Sequence, residues 1–293
     1  MSIRITPLTD PAHTYSSRRL AWLAAHPDGT PAGSAFLRLF TWPGETHRAD
    51  LELTVHPAER RRGVGTLLLA AAVGAARYDG RRNVFALVEA GSPGEPFLRA
   101  RDFRRVLTLM YARLALAQVD PEGLARIVAR PHPGYRLASW DGVVPDELAV
   151  TFAASRRAMD DMPMEDADYG TQTWDVDRVR AAARAVGDRG DLLHTVVAID
   201  ESNGSIAGFT ELVVRGDGKG DAQHYGTGVL PEHRGHGLGL WMKAESIRQA
   251  GERHPALDGL LTDTADGNRS MRAINDGLGY EPTHREYGYQ LDI

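Results

Sequence analysis

Cysteine is absent from the 293 residues, which excludes disulfide staples, thiolate metal sites and a cysteine nucleophile by inventory. Lysine is almost absent: of 34 basic residues only Lys219 and Lys243 are not arginine, so few groups remain for an amine nucleophile or a Schiff base. No apolar run approaches the roughly 20 residues that cross a membrane, and the opening segment MSIRITPLTDPAH lacks the basic-then-apolar layout of a secretory signal. A cytoplasmic location without a membrane partner is the expectation. A net positive charge is missing as well. At a formal −5 the chain does not fit a general nucleic-acid binder, which needs a basic face to neutralise phosphates.

What is present is the composition of a folded soluble protein, 42% hydrophobic and 25% charged, at a length that suggests two domains. An internal repeat divides them. The stretch from Val55 through Pro57, Arg60, Gly63 and Gly65 and the stretch from Val229 through Pro231, Arg234, Gly237 and Gly239 both read V-x-P-x-x-R-x-x-G-x-G. Each copy follows a strand-like run (50–55; 223–229), precedes a proline-free helix-like run, and is succeeded by another short apolar run (83–89; 257–263). Between the copies, residues 121–129 read as a helix and Pro131-His-Pro133-Gly134 cannot continue it. The expected domains are 1–130 and 131–293.

The halves are unequal. Before Arg60 the sequence reads as strands only (3–7, 19–25, 35–41, 50–55), whereas the second half inserts two helix-like segments, 145–159 and 174–186, joined by an acidic loop at 160–169. After its own turn the first half carries Gly91, Pro93, Gly94 and Pro96, which discourage a helix there.

A strand running through a glycine turn into a helix aims free backbone N–H groups and the positive end of the helix dipole at one spot, where an anion belongs. Gly237 and Gly239 permit close backbone approach and Arg234 offers charge-assisted donors, so a pyrophosphate is the natural ligand. Neither copy completes the G-x-G-x-x-G dinucleotide fingerprint, since Leu68 and Met242 stand at the third glycine, and no Gly-Lys-Ser/Thr follows.

The R-x-x-G-x-G turn between strand and helix resembles the acetyl-CoA signature of the GNAT superfamily of N-acetyltransferases. The second copy resembles it further, because Asn268, Met271, Asn275, Leu278, Gly279 and Tyr280 fall on that family's later N-x-x-M-x-x-x-N-x-x-L-G-F/Y segment. The tandem arrangement is similar to that of mycothiol synthases and natural-product acetyltransferases. The resemblance implies an α/β (α+β) chain of two tandem domains, each a mixed, mostly antiparallel sheet flanked by helices, the first lacking the early acceptor-side helices and degenerate for catalysis. It also implies acetyl-CoA as co-substrate and no metal. Val229 would end the strand that meets the thioester, Arg234, Gly235, His236, Gly237, Leu238, Gly239 and Leu240 would cradle the pyrophosphate, and Asn268 and Asn275 would contact the cofactor. Arg60, Gly63 and Gly65 form a possible second site.

An alkyl amine is mostly protonated at neutral pH, so a base must free it before it attacks a thioester. Glu211, in the strand-like segment 206–213, is the preferred base. Many members of the family carry a tyrosine seven residues after the asparagine to protonate the departing thiolate. Here that position is Asn275, which leaves Tyr225 and Tyr287 as candidate acids. Met162, Glu165 and Asp166, in the acidic loop, are the candidate acceptor contacts. His224, His233 and His236 lack metal-ligand spacing. The expected partners are acetyl-CoA and a small-molecule amine, on a monomer or homodimer. A non-catalytic acyl-CoA-binding module and a protein acetyltransferase are the alternatives.

Overall fold

The computed structural model describes residues 3–9, 16–163, 165–170 and 172–293. They group into two units, Met1–Thr108 with Met164–Thr173 and Arg285–Ile293, and Leu109–Pro163 with Trp174–His284. In chain order the elements are β1 (Arg4–Leu8), β2 (Ser17–Ala25), β3 (Pro31–Phe40), β4 (Arg48–Val55), α1 (Val64–Tyr78), β5 (Asn83–Glu89), α2 (Gly94–Arg99), β6 (Arg104–Ala115), α3 (Pro121–Val128), β7 (Tyr135–Asp141), α4 (Asp146–Ser155), α5 (Val176–Asp188), β8 (Leu192–Asp200), β9 (Ile206–Val214), β10 (Gly220–Val229), α6 (Leu238–Arg253), β11 (Leu257–Ala265), α7 (Arg269–Gly277) and β12 (Glu281–Asp292).

In the first unit the strand order is β1-β2-β3-β4-β5-β12, antiparallel except for β4 and β5. Inward positions alternate with outward ones along β3, where Ala35, Leu37 and Leu39 are buried, and α1 lays Leu68 and Ala72 on that face. Tyr289 of the chain's last strand completes this core. In the second unit the order is β6-β11-β10-β9-β8-β7, again antiparallel except for β10 and β11. β9 is buried along its whole length. Helices α4 and α5 cover one face through Phe152, Val179 and Phe209. On the other face α6 packs against β8, β9 and β10, and α3 packs on α6.

A single cut near residue 130 therefore does not reproduce the compact units. Residues 109–130 belong to the second unit because 109–115 form the ladder with β11 from Leu109↔Ala265 to Ala115↔Gly259. The last strand belongs to the first unit because it pairs with β5 from Glu286↔Glu89 to Asp292↔Asn83. Each strand takes the partner that closes a sheet edge and satisfies a row of backbone groups.

The helix discouraged by proline and glycine between Glu89 and Phe103 forms after all, as the short α2. Pro96 sits in its first turn, where a missing N–H breaks no helical bond, and Glu95 accepts a hydrogen bond from the Gly91 amide at 3.0 Å.

Candidate active site

β10 and β11 run parallel and pair only from Gly220↔Leu257 to Gln223↔Leu261. Beyond that point β10 keeps its partner β9 and β11 keeps its partner β6, but they no longer pair with each other. A register shift between His224 and Gly226, with Tyr225 extra, bends β10 away from β11. The result is a wedge between two splayed strands. β4 and β5 repeat it in the first unit, pairing only from Arg48↔Asn83 to Asp50↔Phe85.

The repeated turn stands at the mouth of each wedge. Gly63 (φ 85°) and Gly237 (φ 74°) are the left-handed N-caps of α1 and α6, a conformation that disfavours any side chain. A Cβ on Gly239 would come within 3.1 Å of Ile274, and one on Gly65 within 3.0 Å of Phe97. None of the backbone N–H groups of residues 235–240 donates to an acceptor among the described residues, and the same is true of 61–66. Unengaged amides converging on a helix N-terminus are the donor set a pyrophosphate requires, so the residues present fit that group. Val229, Arg234, Gly235, His236, Gly237, Leu238, Gly239 and Leu240 are thus brought together, as are Arg60, Gly63 and Gly65.

The arginine of the repeat has a further structural duty in both copies. Arg234 Nε donates to the Val229 carbonyl at 3.0 Å and Arg60 Nε to the Val55 carbonyl at 3.3 Å, tying each turn to the end of its strand. The Arg234 guanidinium also holds Asp161 through two bonds of 2.6 and 2.7 Å, which lower the Asp161 carboxyl below its usual range. His132 stacks on Trp241 with ring centroids 4.1 Å apart, and its Nδ1 hydrogen-bonds the His236 carbonyl at 3.0 Å, so α3 and its following loop fix the turn from outside.

Several expected residues have other occupations. Glu211, buried on β9 beside Gly226, gives both oxygens to Arg156, at 2.8 and 2.5 Å. That guanidinium lies over the rings of Phe152, Phe209 and Trp174. Both oxygens of the expected base are thus engaged by one buried guanidinium, which ties β9 to the turn after α4. Asn268 caps α7, its side-chain oxygen accepting from the Met271 amide at 3.1 Å. Asn275 is buried, donating to Thr264 Oγ1 at 3.2 Å and accepting from Lys243 Nζ at 2.5 Å, so its amide is spent on helix and strand.

Tyr225 projects from the bulge, about half exposed, with its hydroxyl accepting from Arg189 Nη2 at 3.0 Å. Tyr287 belongs to the first unit, opposite Val88 on β5, with the Arg105 guanidinium 4.4 Å from its ring centre. Of the loop residues, Met162 stays with the second unit, but Glu165 and Asp166 belong to the first. There Glu165 accepts from the Thr108 amide at 3.2 Å and the Asp166 amide donates to the Val106 carbonyl at 3.0 Å. These bonds tie the two residues to β6 near its start. Among the described residues no group of three His, Asp or Glu is placed to hold a metal ion.

One buried cation of the second unit was not singled out by sequence as a site residue. Lys243 is fully buried on α6, with Nζ 3.4 Å from Thr262 Oγ1 and 4.5 Å from the centre of the Tyr280 ring. Burial lowers its ammonium to about 7, partly opposed by the charge of Asp263. The available signal was a rare lysine on a helix otherwise read as apolar at Leu240, Ala244 and Ile247.

Two segments of the chain, residues 5–97 and 157–280, match the family model described as Acetyltransferase (GNAT) family. Over 273 residues the chain is 30% identical to the mycothiol acetyltransferase of Kineococcus radiotolerans, spanning 91% of this chain and 80% of that protein. Its structure is similar to that of a tandem GNAT protein from the clavulanic acid biosynthesis pathway, with a TM-score of 0.77 and 26% identity over 96% of this chain and 84% of that one. A GCN5-related N-acetyltransferase from Sphaerobacter thermophilus shares the fold at a TM-score of 0.67 and 17% identity, over 93% and 80% of the two chains. With two splayed wedges, a glycine turn at the mouth of each and both halves matched, the chain belongs to the GNAT acetyltransferase family, in its tandem form.

Proposed function

We propose that the second unit is an acetyl-CoA-dependent N-acetyltransferase that acts on a primary amine of a small molecule, and that the first unit is degenerate for catalysis. The observation that carries the reading is the run of unengaged amides at residues 235–240, standing at the head of a wedge that α4 and α5 flank in the second unit. The first unit repeats the turn, but between β1 and β2 it has no helix among the described residues. Two relatives support a small acceptor: one is named for mycothiol acetylation and the other comes from the clavulanic acid biosynthesis pathway.

Acetyl-CoA, when bound, supplies an activated acyl carbon that an amine attacks directly. The chain's own contribution is positional. The amides of 235–240 neutralise the pyrophosphate and α6 adds the positive end of its dipole. The Arg156–Glu211 pair ties β9 to the turn after α4 and fixes the wall of the wedge.

The test measures CoA binding by calorimetry and acetyl transfer from acetyl-CoA to a panel of small primary amines, with a lysine-containing peptide beside them. Transfer to at least one small amine, with the peptide poor, supports the reading. CoA binding without transfer to any amine would leave a binding module, and a peptide preferred over every small amine would point to a protein acetyltransferase.

A further inference from the structure

The apex of the second wedge holds a buried polar cluster that the pyrophosphate site does not use. His224 and Thr262 are the first residues of β10 and β11 beyond their last paired positions. Lys243 reaches this point from α6, its Nζ contacting Thr262 and Asn275. The ammonium forms no ion pair among the described residues, although an ammonium has three donors to place. Among the described residues the Tyr280 hydroxyl around it is buried without a hydrogen-bond partner, and the buried His224 ring has no side-chain hydrogen-bond partner, only the Glu211 backbone beside it. The facing titratable groups are His224 on β10, Asp263 on β11 and Tyr280 after α7. Burial and the Lys243 charge hold His224 well below its ordinary value, and burial holds Tyr280 well above its own. At neutral pH those two are uncharged. Lys243 is the member of the cluster whose proton is exchangeable there.

Buried polar atoms without partners mark a place where a polar group from elsewhere completes the network. The turn sits at the end of β10 after Val229, and the apex lies at His224, so an extended arm anchored at the turn and laid along 224–229 ends beside His224 and Thr262, the residue that Lys243 Nζ contacts.

Resting on the acetyltransferase reading above, we propose that Lys243 is the proton donor to the departing sulfur of acetyl-CoA. As the acceptor nitrogen forms its bond to the acetyl carbon, the carbon–sulfur bond breaks and its electron pair goes to sulfur. Lys243 Nζ gives a proton to that sulfur. The acceptor amine loses one proton to solvent, and Lys243 regains one from solvent. The sum is amine plus thioester giving amide plus thiol. Asn275 holds the ammonium in place through its side-chain oxygen.

The deciding experiment needs no amine. Free CoA and desulfo-CoA are each bound to the wild-type protein, and ionisation of the bound thiol is followed by ultraviolet difference absorbance against pH, with desulfo-CoA as the blank. Beside the Lys243 ammonium the thiol should ionise at least one pH unit below free CoA, corresponding to a tenfold or larger change in its ionisation constant. Lys243→Met should abolish the shift. Lys243→Arg should keep it, as a cation that cannot give up its proton, yet should turn over about 10²–10⁴-fold more slowly. Turnover lost in Lys243→Met should return with a thioester of a more acidic thiol, which leaves without help. CoA bound with an unshifted thiol in the wild-type protein would overturn the proposal and leave the acetyltransferase reading standing. Failure of CoA to bind would overturn both.

Discussion

Two of the buried cations of the second unit, Arg156 and Lys243, behave in opposite ways. Arg156 has a carboxylate partner in Glu211 and three aromatic rings around it. Removing the carboxylate strands a charge in an apolar setting, so Glu211→Ala should cost about 3–5 kcal/mol in chemical denaturation. The double change to Glu211→Leu with Arg156→Met should recover much of that. A single variant with an unchanged midpoint, a lost ascending limb in its pH–rate profile and intact CoA affinity would restore Glu211 as the base. Lys243 has no carboxylate hydrogen-bonded to it among the described residues, only the charge of Asp263 nearby, and burial lowers its ammonium to about 7 from 10.5. Below pH 7 the folded and unfolded chains both carry the proton, and burying the charge costs its full amount. Between 7 and 10.5 the unfolded chain binds more protons than the folded one, so stability rises with pH across that window. Lys243→Met should therefore be more stable than wild type by a margin that is largest at pH 6 and shrinks towards pH 10, measured by denaturant midpoints in parallel.

At the scale of elements, the strand–turn–helix unit occurs twice with the same internal bonds. An arginine ties back to the strand end, a left-handed glycine caps the helix and the first-turn amides are unengaged. The copies differ in what surrounds them, since α4 and α5 accompany only the second. Gly237→Val forces a β-branched side chain into a positive φ and narrows the space over the amides, where His132 already lies 3.3 Å from a Cβ. It should reduce CoA affinity at the second unit at least tenfold and abolish turnover. Gly63→Val imposes the same strain in the first unit and should leave turnover near normal. A folded Gly63→Val protein without turnover, beside an active Gly237→Val protein, would reverse the assignment of the two units.

At the scale of the whole molecule, each unit is closed by a strand from a distant part of the chain. Residues 286–292 pair with β5 in the first unit, and residues 109–115 pair with β11 in the second. Truncation after His284 uncovers the edge of β5 and removes Tyr289, which is 1% exposed in the first core. The truncated chain should lose protection from hydrogen exchange in β4 and β5 first, while the amides of β8 and β9 stay protected. For the same reason, separate fragments of residues 1–130 and 131–293 should each fail to give a cooperative unfolding transition, because each lacks a strand that its core needs. A cooperative transition in either fragment alone would show that its exchanged strand is dispensable.

The turn was legible in the sequence, because the geometry of a glycine turn before a helix is decided by residues within a few positions of one another. The repeat and the helix-rich insertion of the second half followed from such local patterns, and the acyl-CoA class from the resemblance to the GNAT family. Strand partners were not legible: β5 recruits residues almost two hundred positions away, and only competition among sheet edges for backbone hydrogen bonds selects them. Side-chain roles also waited for the tertiary structure. The expectation of Glu211 as base could not include Arg156 on both its oxygens, that of Asn275 as a cofactor contact could not include Lys243 and Thr264 on its amide, and that of Glu165 and Asp166 as acceptor contacts could not include their ties to β6. Local sequence fixed which backbone groups would be free. Burial and long-range pairing decided which side chains were.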